Sequence, residues 1–366
     1  MLRADQSRLD EAETLVRDGL AMSRRHLPVN SPMLSSATIA LGRVLGRRGT
    51  YDEAIHILDD EVANQAQAGV PDAEVARTLS ALADVQYGAG HYQVCVPLYQ
   101  RLLDLHRKVY GPKHPLIADD LSGLAAAETD LGYYGDAESL AKQAMDVTRN
   151  YYGADNPKVA GNLTTLGRAL TYQNKYDEAS SVLQQALTIQ ERAYGPNHSE
   201  VAETLNELGN IDSMRNHLDD ADAKFQRVVD IYRSIYGDHH FFVAVALSNV
   251  GSVRMDKKDY RGAEEIYRDV VQRFTSSLSR DNVNTGIAEI KLGRTLLREK
   301  RFADAETETL KGYNVLQKQT SPSTSFLHAA RKDLAAEYEG MKQPDKAARY
   351  RAELALMDRA ALIATH

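Results

Sequence analysis

Histidines next to tyrosine and glycine are the first residues in this chain whose types suggest chemistry. The string YGPNHS at 194–199 has counterparts in YGPKHP at 110–115, YGADNP at 152–157 and YGDHHF at 236–241. His239 and His240 follow Asp238, and zinc accepts imidazole and carboxylate groups as ligands. The same loop holds single histidines in two other copies, His114 and His198, so a structural role is the preferred interpretation. No metal site is predicted.

The rest of the sequence contains no arrangement typical of catalysis. The eleven histidines are scattered, and no HExxH, CxxC, GxSxG or phosphate-binding loop occurs. We therefore predict a protein that is not an enzyme and that uses no cofactor.

Composition and charge narrow the classes of partner. The 366 residues carry a formal net charge of −7, whereas nucleic-acid-binding proteins normally present a basic face. No apolar run reaches the roughly 18 residues of a membrane span, and the N-terminus lacks the apolar stretch of a secretory signal. The single cysteine excludes an intramolecular disulfide and fits a reducing compartment. We expect no nucleic-acid or membrane partner and a cytoplasmic location.

The tyrosine-glycine strings belong to a set of markers that recur along the chain. Tyr110, Tyr152, Tyr194 and Tyr236 are 42 residues apart. A second marker, typified by TYDEA at 50–54 and KYDEA at 175–179, occurs nine times at steps of 42 residues, with one step of 41. Such a period indicates a repeat array rather than ordinary compact domains.

The markers divide residues 1–366 into a single predicted array. It begins with an unpaired second-type helix at 1–26, and the successive helix-pair repeats span 27–68, 69–109, 110–151, 152–193, 194–235, 236–277, 278–319 and 320–366. A lone helix cannot bury its apolar face. We favour the interpretation that the chain is a piece of a longer protein; the alternative is that the first helix packs only on the first full repeat.

Each repeat is predicted to hold two helices joined by a tight turn. In the segment 159–170, apolar residues recur every three or four positions, which is helical spacing. The same holds for the segment that follows the DEA-like marker at 175–179. Patterns typical of strands are absent, so the predicted fold class is all-α.

A third marker is a large apolar residue followed by a small one, as in Leu166-Gly167. Glycine destabilises a helix by about 1 kcal/mol relative to alanine, so its recurrence predicts a close crossing of the two helices. The alanine that ends the DEA-like marker, such as Ala179, is the expected partner of this glycine. Cys95 takes the alanine position in one repeat and is interpreted as a small buried side chain.

The helix pairs, the small-residue columns and the L-G…Y…A spacing resemble the tetratricopeptide repeat, and the 42-residue period resembles that of kinesin light chains. The resemblance implies a right-handed superhelical solenoid of antiparallel helix pairs, with the first helices lining a concave face. The outer repeats depart from the pattern: LPVNSP (27–32), LSRDNV (278–283) and TSPSTS (320–325) lose most of the loop motif, and Glu289 replaces an apolar residue.

The resemblance also implies which residues face a ligand. They are counted from the first residue of the large-small pair. They lie two residues before it, one, two or five residues after it, or close to those positions. The predicted peptide-binding residues are Thr164, Arg168, Tyr172, Asn206, Asn210, Ser213, Asn249 and Ser252. Asn206 lies in TLNELG, the string whose asparagine holds a peptide backbone in kinesin light chains. The alternative is a solvated face of mixed charge, because acidic residues such as Asp130 and Glu203 are interleaved with these positions.

The predicted function is a non-catalytic scaffold for a protein or peptide partner, which the sequence does not identify; nor does it give the oligomeric state. The alternative is a regulatory or sensor segment of a larger bacterial signalling protein, such as a kinase or a nucleotide-driven switch. From sequence, alanine at Asn206 and Arg168 is expected to abolish partner capture without lowering the melting temperature.

Overall fold

The computed structural model describes residues 6–28, 31–278, 280–318 and 324–364. Those residues form helices and connecting turns, with no strand among them, so the predicted all-α class is confirmed. Residues 1–5 of the predicted first helix lie outside the described residues, as do parts of the strings LPVNSP, LSRDNV and TSPSTS.

The helices alternate between two types and are numbered in chain order. The second-type helices are α1 (Gln6–His26), α3 (Tyr51–Ala68), α5 (Tyr92–Tyr110), α7 (Tyr134–Tyr152), α9 (Tyr176–Tyr194), α11 (Leu218–Tyr236), α13 (Tyr260–Ser277), α15 (Phe302–Gln317) and α17 (Pro344–Ala364). The first-type helices are α2 (Pro32–Arg47), α4 (Asp72–Gly88), α6 (Pro115–Leu131), α8 (Pro157–Tyr172), α10 (Ser199–Met214), α12 (Phe241–Asp256), α14 (Val283–Arg298) and α16 (Thr324–Gly340).

The described chain divides into two compact units. The first holds the residues up to Arg215 together with Ser234–Tyr236, and the second holds Asn216–Arg233 and the residues from Gly237 onward. In each unit the two helices of a pair pack together, and first-type helices of neighbouring repeats also touch, as α6 touches α8 and α14 touches α16. Each unit is therefore an all-α solenoid of helix pairs. The individual repeat boundaries stay a prediction.

The predicted close crossing exists, but Gly167 and Gly251 face the side chain one turn after the expected alanine. A methyl group added at Gly167 would meet the Leu183 side chain, and one added at Gly251 would meet the Tyr267 ring at 2.9–3.0 Å. Leu183 lies four residues beyond Ala179, the expected partner, which is itself fully buried. Helical side chains lean toward the N-terminus of their helix. The side chain one turn after the alanine therefore extends back over the helical turn that contains the alanine. It fills the space next to the glycine of the partner helix.

Cys95 occupies the buried alanine column as predicted. Its side chain is fully buried, and burial raises the pKa of the thiol to about 12. A thiol protonated at neutral pH is a poor nucleophile, which agrees with a packing role.

The tyrosine-glycine-histidine loop joins one helix pair to the next. By sequence, Gly195 is suited to a left-handed helix end. In the structure it follows α9 with a positive φ of 83°, but its ψ of 168° lies in an extended region that is open essentially only to glycine, and not in the left-handed helical region. A proline at the end of the loop suits the first turn of the next helix, and Pro115 and Pro157 begin α6 and α8.

The histidine of this loop caps the helix that follows. His198 Nδ1 accepts a hydrogen bond from the Glu200 backbone N–H at 3.3 Å, and the Tyr194 ring stacks on the imidazole with centroids 4.3 Å apart. His114 and His240 make the same cap, and in the sister copy Asn156 replaces the imidazole, with Oδ1 accepting from the Lys158 N–H at 3.0 Å. Histidine and asparagine recur here because both present an acceptor to the helix N-terminus.

We expect His198→Ala to lower the free energy of unfolding by about 1 kcal/mol, the usual contribution of a helix cap. His198→Asn should retain most of that stability, because an asparagine already caps the equivalent helix α8. Urea unfolding followed by circular dichroism measures both variants. Equal losses for alanine and asparagine would show that the ring stacking, and not the cap, carries the effect.

Buried polar pairs connect successive repeats of the first unit. His106 Nδ1 lies 2.7 Å from Asp120 Oδ2, Asn162 Nδ2 donates to Thr148 Oγ1 at 2.7 Å, and Thr204 Oγ1 donates to Gln190 Oε1 at 2.7 Å. Each pair joins a second-type helix to the next first-type helix at the same position of the repeat. A buried polar group left unpaired is costly, so these pairs favour a single register between neighbouring repeats.

Candidate ligand-binding face

The predicted peptide-binding residues lie on three first-type helices. Thr164, Arg168 and Tyr172 are on α8, three others are on α10, and the last two are on α12. On α8 the apolar residues Leu163 and Leu166 are buried, whereas the polar residues Thr164 and Arg168 next to them are partly exposed. We call the side of the first-type helices that carries these positions the first-helix face of each unit.

Arg168 is the centre of a charged network in the first unit. Its guanidinium donates to the Tyr87 hydroxyl at 2.9 Å and forms an ion pair with Asp130, and the Tyr87 hydroxyl donates to the other oxygen of Asp130 at 2.6 Å. Although burial by itself lowers the pKa of Arg168, the negative charges near it raise the pKa above its ordinary value. Arg168 therefore already has a structural partner, and sequence reasoning missed Tyr87 because it lies 81 residues away.

Thr164 and Tyr172 lie on either side of Arg168 on α8. The Thr164 hydroxyl is 2.8 Å from the Thr204 hydroxyl of α10, so it helps to join two repeats. The Tyr172 side chain is 40% exposed, and its ring stacks on Tyr134 with centroids 5.4 Å apart. Of these α8 residues, Tyr172 presents the largest apolar surface to solvent, and its hydroxyl adds a polar group.

Helix α10 places amides and carboxylates side by side. Asn206, Glu207 and Asn210 are half-buried, and Asn210 Nδ2 donates to Glu207 at 3.4 Å. Burial raises the pKa of Glu207, while Arg168 and the two asparagines lower it. This interaction brings the predicted residues of α8 and α10 into one cluster. Ser213, nearer the end of α10, is half-buried.

Glu203, one turn before Glu207, is the least compensated acidic group of this cluster. Its side chain is accessible to solvent, yet desolvation by the surrounding protein and repulsion from Glu200 and Glu207 raise its pKa to about 7. Within the described part of the chain, Glu203 has neither an ion-pair partner nor a side-chain hydrogen bond. An exposed carboxylate under this repulsion would be stabilised by a cationic or hydrogen-bond-donating group of a ligand.

The two predicted residues of α12 belong to the second unit. Asn249 is half-buried, and the Ser252 hydroxyl is 3.0 Å from the Tyr267 hydroxyl. Ser252 also accepts a hydrogen bond from Lys291 Nζ of α14 at 3.4 Å. Lys291 was not among the predicted residues. It could have been found from the column immediately before the large-small pair, which holds Glu207, Asn249 and Lys291 in successive repeats.

Over residues 6–28, 31–278, 280–318 and 324–364, no group of three or more histidine, cysteine, aspartate or glutamate side chains could hold a metal ion. Of the adjacent histidines considered as ligands, His240 caps α12 and His239 is exposed. In the same part of the chain, no helix has the length and apolar character needed to cross a membrane.

Comparison with known proteins gives both a family and structural neighbours. The family model described as tetratricopeptide repeat matches residues 74–150, 121–192, 163–234 and 242–318. No curated protein matches the chain.

Three solved structures illustrate the structural similarity. A Rap protein complexed with Competence and Sporulation Factor has a TM-score of 0.66 at 13% identity, over 96% of this chain and 93% of that one. A signal transduction ATPase from Pyrococcus horikoshii, a STAND protein with a tetratricopeptide repeat sensor, has a TM-score of 0.58 at 14% identity, over 99% of this chain and 55% of that one. The repeats of a putative kinesin light chain from Podosopora anserina give a TM-score of 0.46 at 21% identity, over 57% of this chain and 98% of that one.

Proposed function

The chain belongs to the tetratricopeptide repeat family, with the kinesin light chain-like period of 42 residues, and on this premise we propose that it is a non-catalytic scaffold. It binds a protein or an extended peptide along its first-helix faces. Six of the eight predicted residues lie in the first unit.

The observation that carries the proposal is the set of polar groups on α10. Asn206 and Asn210 offer both a donor and an acceptor, which suits the alternating N–H and C=O groups of a peptide backbone. Glu203 is exposed and has no ion-pair partner among the described residues, so a basic side chain of the partner would relieve its repulsion from Glu200 and Glu207. Tyr172 adds a stacked, partly exposed ring of the kind that anchors protein interfaces.

The contacts of Arg168 modify its proposed role. Because Arg168 holds Asp130 and Tyr87, it positions the face on which the ligand lies and is less available to pair with the ligand itself. The ligand contacts are therefore assigned to Glu203, Asn206, Asn210 and Tyr172.

A selection from a random-peptide display library tests the proposal. The wild-type chain should enrich related sequences that contain lysine or arginine, and a Glu203→Ala/Asn206→Ala double variant should lose that enrichment. Gln185→Ala is the matched control, because Gln185 is exposed on the second-type helix α9, away from the first-helix face. Absence of enrichment by the wild type, or equal enrichment by the double variant, would contradict the proposal.

A second candidate is the sensor segment of a larger signalling protein. It is supported by the similarity to the Pyrococcus horikoshii ATPase, in which a tetratricopeptide repeat array is the sensor. Reading the gene upstream of the codon for Met1 separates this candidate from a free-standing scaffold. An in-frame kinase or nucleotide-binding domain there would favour the sensor.

A further inference from the structure

Two glutamates of the second unit are buried where α14, α15 and α16 pack together. Glu289 of α14 is 2% exposed, and Glu337 of α16 is fully buried. Among the residues that the structure describes, Oε2 of each side chain has no hydrogen-bond partner. A buried carboxylate without a partner is costly, whereas a protonated carboxyl group carries no net charge. The surroundings of these two side chains therefore favour their protonated forms.

Glu289 occupies a position that earlier repeats fill with leucine. The residues at this position of α8, α10 and α12 are buried and are spaced by 42 residues: Leu163, Leu205 and Leu247. Close to Glu289, α14 and α15 are in near backbone contact, because a methyl group added at Gly312 would meet the carbonyl oxygen of Gly286. Glu289 therefore takes a core position in a closely packed crossing, where water has little access.

The charged groups around Glu289 do not neutralise it. On α15, Glu308 repels the carboxylate and Lys311 attracts it, but Lys311 is already paired with Glu308 at 2.8 Å. In the segment before α14, Arg280 attracts the carboxylate and Asp281 repels it. Burial is the largest effect, and together with Glu308 it raises the pKa of Glu289 to about 7.

Glu337 has one hydrogen-bond donor and two acidic neighbours. Thr309 of α15 donates to Glu337 Oε1 at 2.7 Å, which favours the carboxylate. Asp333 of α16 and Glu306 of α15 repel it, and Asp333 is itself paired with Arg294 of α14. Burial outweighs the hydrogen bond from Thr309 and raises the pKa of Glu337 to about 8.

The other helices packed against α14 and α16 are α13 and α17, and most of their charged side chains already have partners. The pairs are Arg261 with Glu265, Arg268 with Glu264 and Arg273 with Asp269 on α13, and Arg331 with Glu353 and Arg351 with Glu339 between α16 and α17. Lys346 of α17 lies over the Tyr338 ring, 4.9 Å from its centre. Within the described ranges, no ion pair joins any of these side chains to Glu289 or Glu337.

We propose that Glu289 and Glu337 form a pH-sensitive switch, which keeps α14, α15 and α16 packed together while both carboxyl groups are protonated and lets these helices separate locally when the protons are lost. Separation admits water to the carboxylates, and water supplies the hydrogen bonds that the closed packing lacks. The switch concerns the packing of the second unit and does not depend on the proposed scaffold function.

The packing is expected to weaken as the pH rises. In the unfolded chain both glutamates lose their protons near the ordinary pKa of 4.5, whereas in the folded unit they keep them up to a pKa of about 7 and about 8. The folded unit therefore binds more protons in this range, and its stability falls as the pH rises from about 4.5 to about 8. Lys291 of α14 acts in the opposite direction: burial lowers its pKa to about 8, so its loss of a proton above that pH favours the folded unit.

Hydrogen–deuterium exchange of the full chain, measured by mass spectrometry at about pH 6 and about pH 8.5, tests the switch. After correction for the intrinsic exchange rate, the protection of the α14, α15 and α16 amides in the wild type should fall about tenfold or more between the two pH values. In a Glu289→Leu/Glu337→Gln double variant it should change by less than about threefold. Leucine restores the side chain of the earlier repeats, glutamine keeps an acceptor for Thr309, and Lys291 is retained.

Glu265→Gln is the matched control, because Glu265 lies on α13 of the same unit and its side chain is 72% exposed. This variant should keep the pH response of the wild type. Helix α8 of the first unit is the internal control, and its protection should not fall with that of α14, α15 and α16. No fall in the wild type, or an equal fall in the double variant, would overturn the switch. An equal fall in α8 would replace local separation by a general loss of stability.

Glu289→Leu alone decides the matter if the double variant fails to fold. This single substitution gives α14 the leucine that α8, α10 and α12 have at the same position. It should reduce the fall in protection by about threefold or more, because one of the two titrating groups is removed. A fall equal to that of the wild type would overturn the switch.

Discussion

Gly293→Ala is expected to lower the free energy of unfolding by about 2–3 kcal/mol, because the crossing of α14 and α15 has no room for a methyl group. A Cβ atom at this position would meet the Thr309 side chain, the Thr309 backbone nitrogen at 2.8 Å and the Ala305 carbonyl oxygen at 3.1 Å. Two of these neighbours are backbone atoms, so a change of rotamer cannot relieve the overlap. Thr309 is also held by its hydrogen bond to Glu337 at 2.7 Å, which a shift would strain.

Gly161→Ala is the matched control for Gly293→Ala. Gly161 lies inside α8, and nothing stands within 4 Å of the position of its Cβ. Both substitutions remove about the same conformational freedom from the unfolded chain, so that contribution cancels in the comparison. Gly161→Ala should stabilise the protein by about 0.5–1 kcal/mol. Urea unfolding followed by circular dichroism measures both. A stable Gly293→Ala variant would show that the helices of this pair can separate without loss, contrary to the close crossing.

Arg168→Ala is expected to lower the free energy of unfolding by about 2–3 kcal/mol, below the cost typical of breaking a fully buried ion pair because the pair is partly exposed. The substitution leaves Asp130, whose side chain is 14% exposed, without its counter-ion, and it removes a hydrogen bond to Tyr87. This expectation differs from the one made from sequence, in which Arg168 contacts only the partner. Thermal unfolding measures the change, with Lys158→Ala as the control.

Lys158 is a suitable control because its ion pair with Asp119 is long, at 3.9 Å, and both side chains are more than half exposed. Loss of this pair should change the free energy of unfolding by at most about 0.5 kcal/mol. A double-mutant cycle with Asp130→Asn isolates the interaction. After Asp130→Asn, the Arg168→Ala substitution should cost clearly less than in the wild type. Additive effects would show that the two side chains do not act together and would return Arg168 to the group of ligand contacts.

Sequence periodicity predicted the repeated parts of the fold because they depend on local helix geometry. The spacing of Leu163, Leu166 and Leu170 defines one face of α8, and these residues are buried there. Cys95 could be assigned to packing because its column otherwise holds alanine, and the alanines of that column from Ala54 to Ala347 are fully buried. The spacing of small residues did not predict that Leu183 faces Gly167, because this contact depends on the tilt of side chains along the helix.

The sequence predicted the positions of the candidate site residues but not their charge partners. The ligand-facing positions on α8, α10 and α12 could be named from the repeat, but their states of charge depend on residues in other repeats. Arg168 pairs with Asp130, which lies 38 residues earlier in the chain, and Lys291 donates a hydrogen bond to Ser248, which lies 43 residues earlier. Both are cations on first-type helices, yet Arg168 pairs with a carboxylate, whereas Lys291 has no carboxylate partner among the residues that the structure describes. Residue type alone gives no means of telling them apart.

The sequence by itself therefore determined the helix pairs, their 42-residue period and the buried columns, because hydrogen bonding within a helix and its 3.6-residue turn act between near neighbours. Only the tertiary structure decided that the loop histidines cap helices and that Arg168 is already paired. It also showed that, within the described ranges, Glu203 and Lys291 form no ion pair. Burial and charge compensation depend on which side chains of distant repeats come within a few ångströms, and that distance is set by the packing of one helix pair on the next.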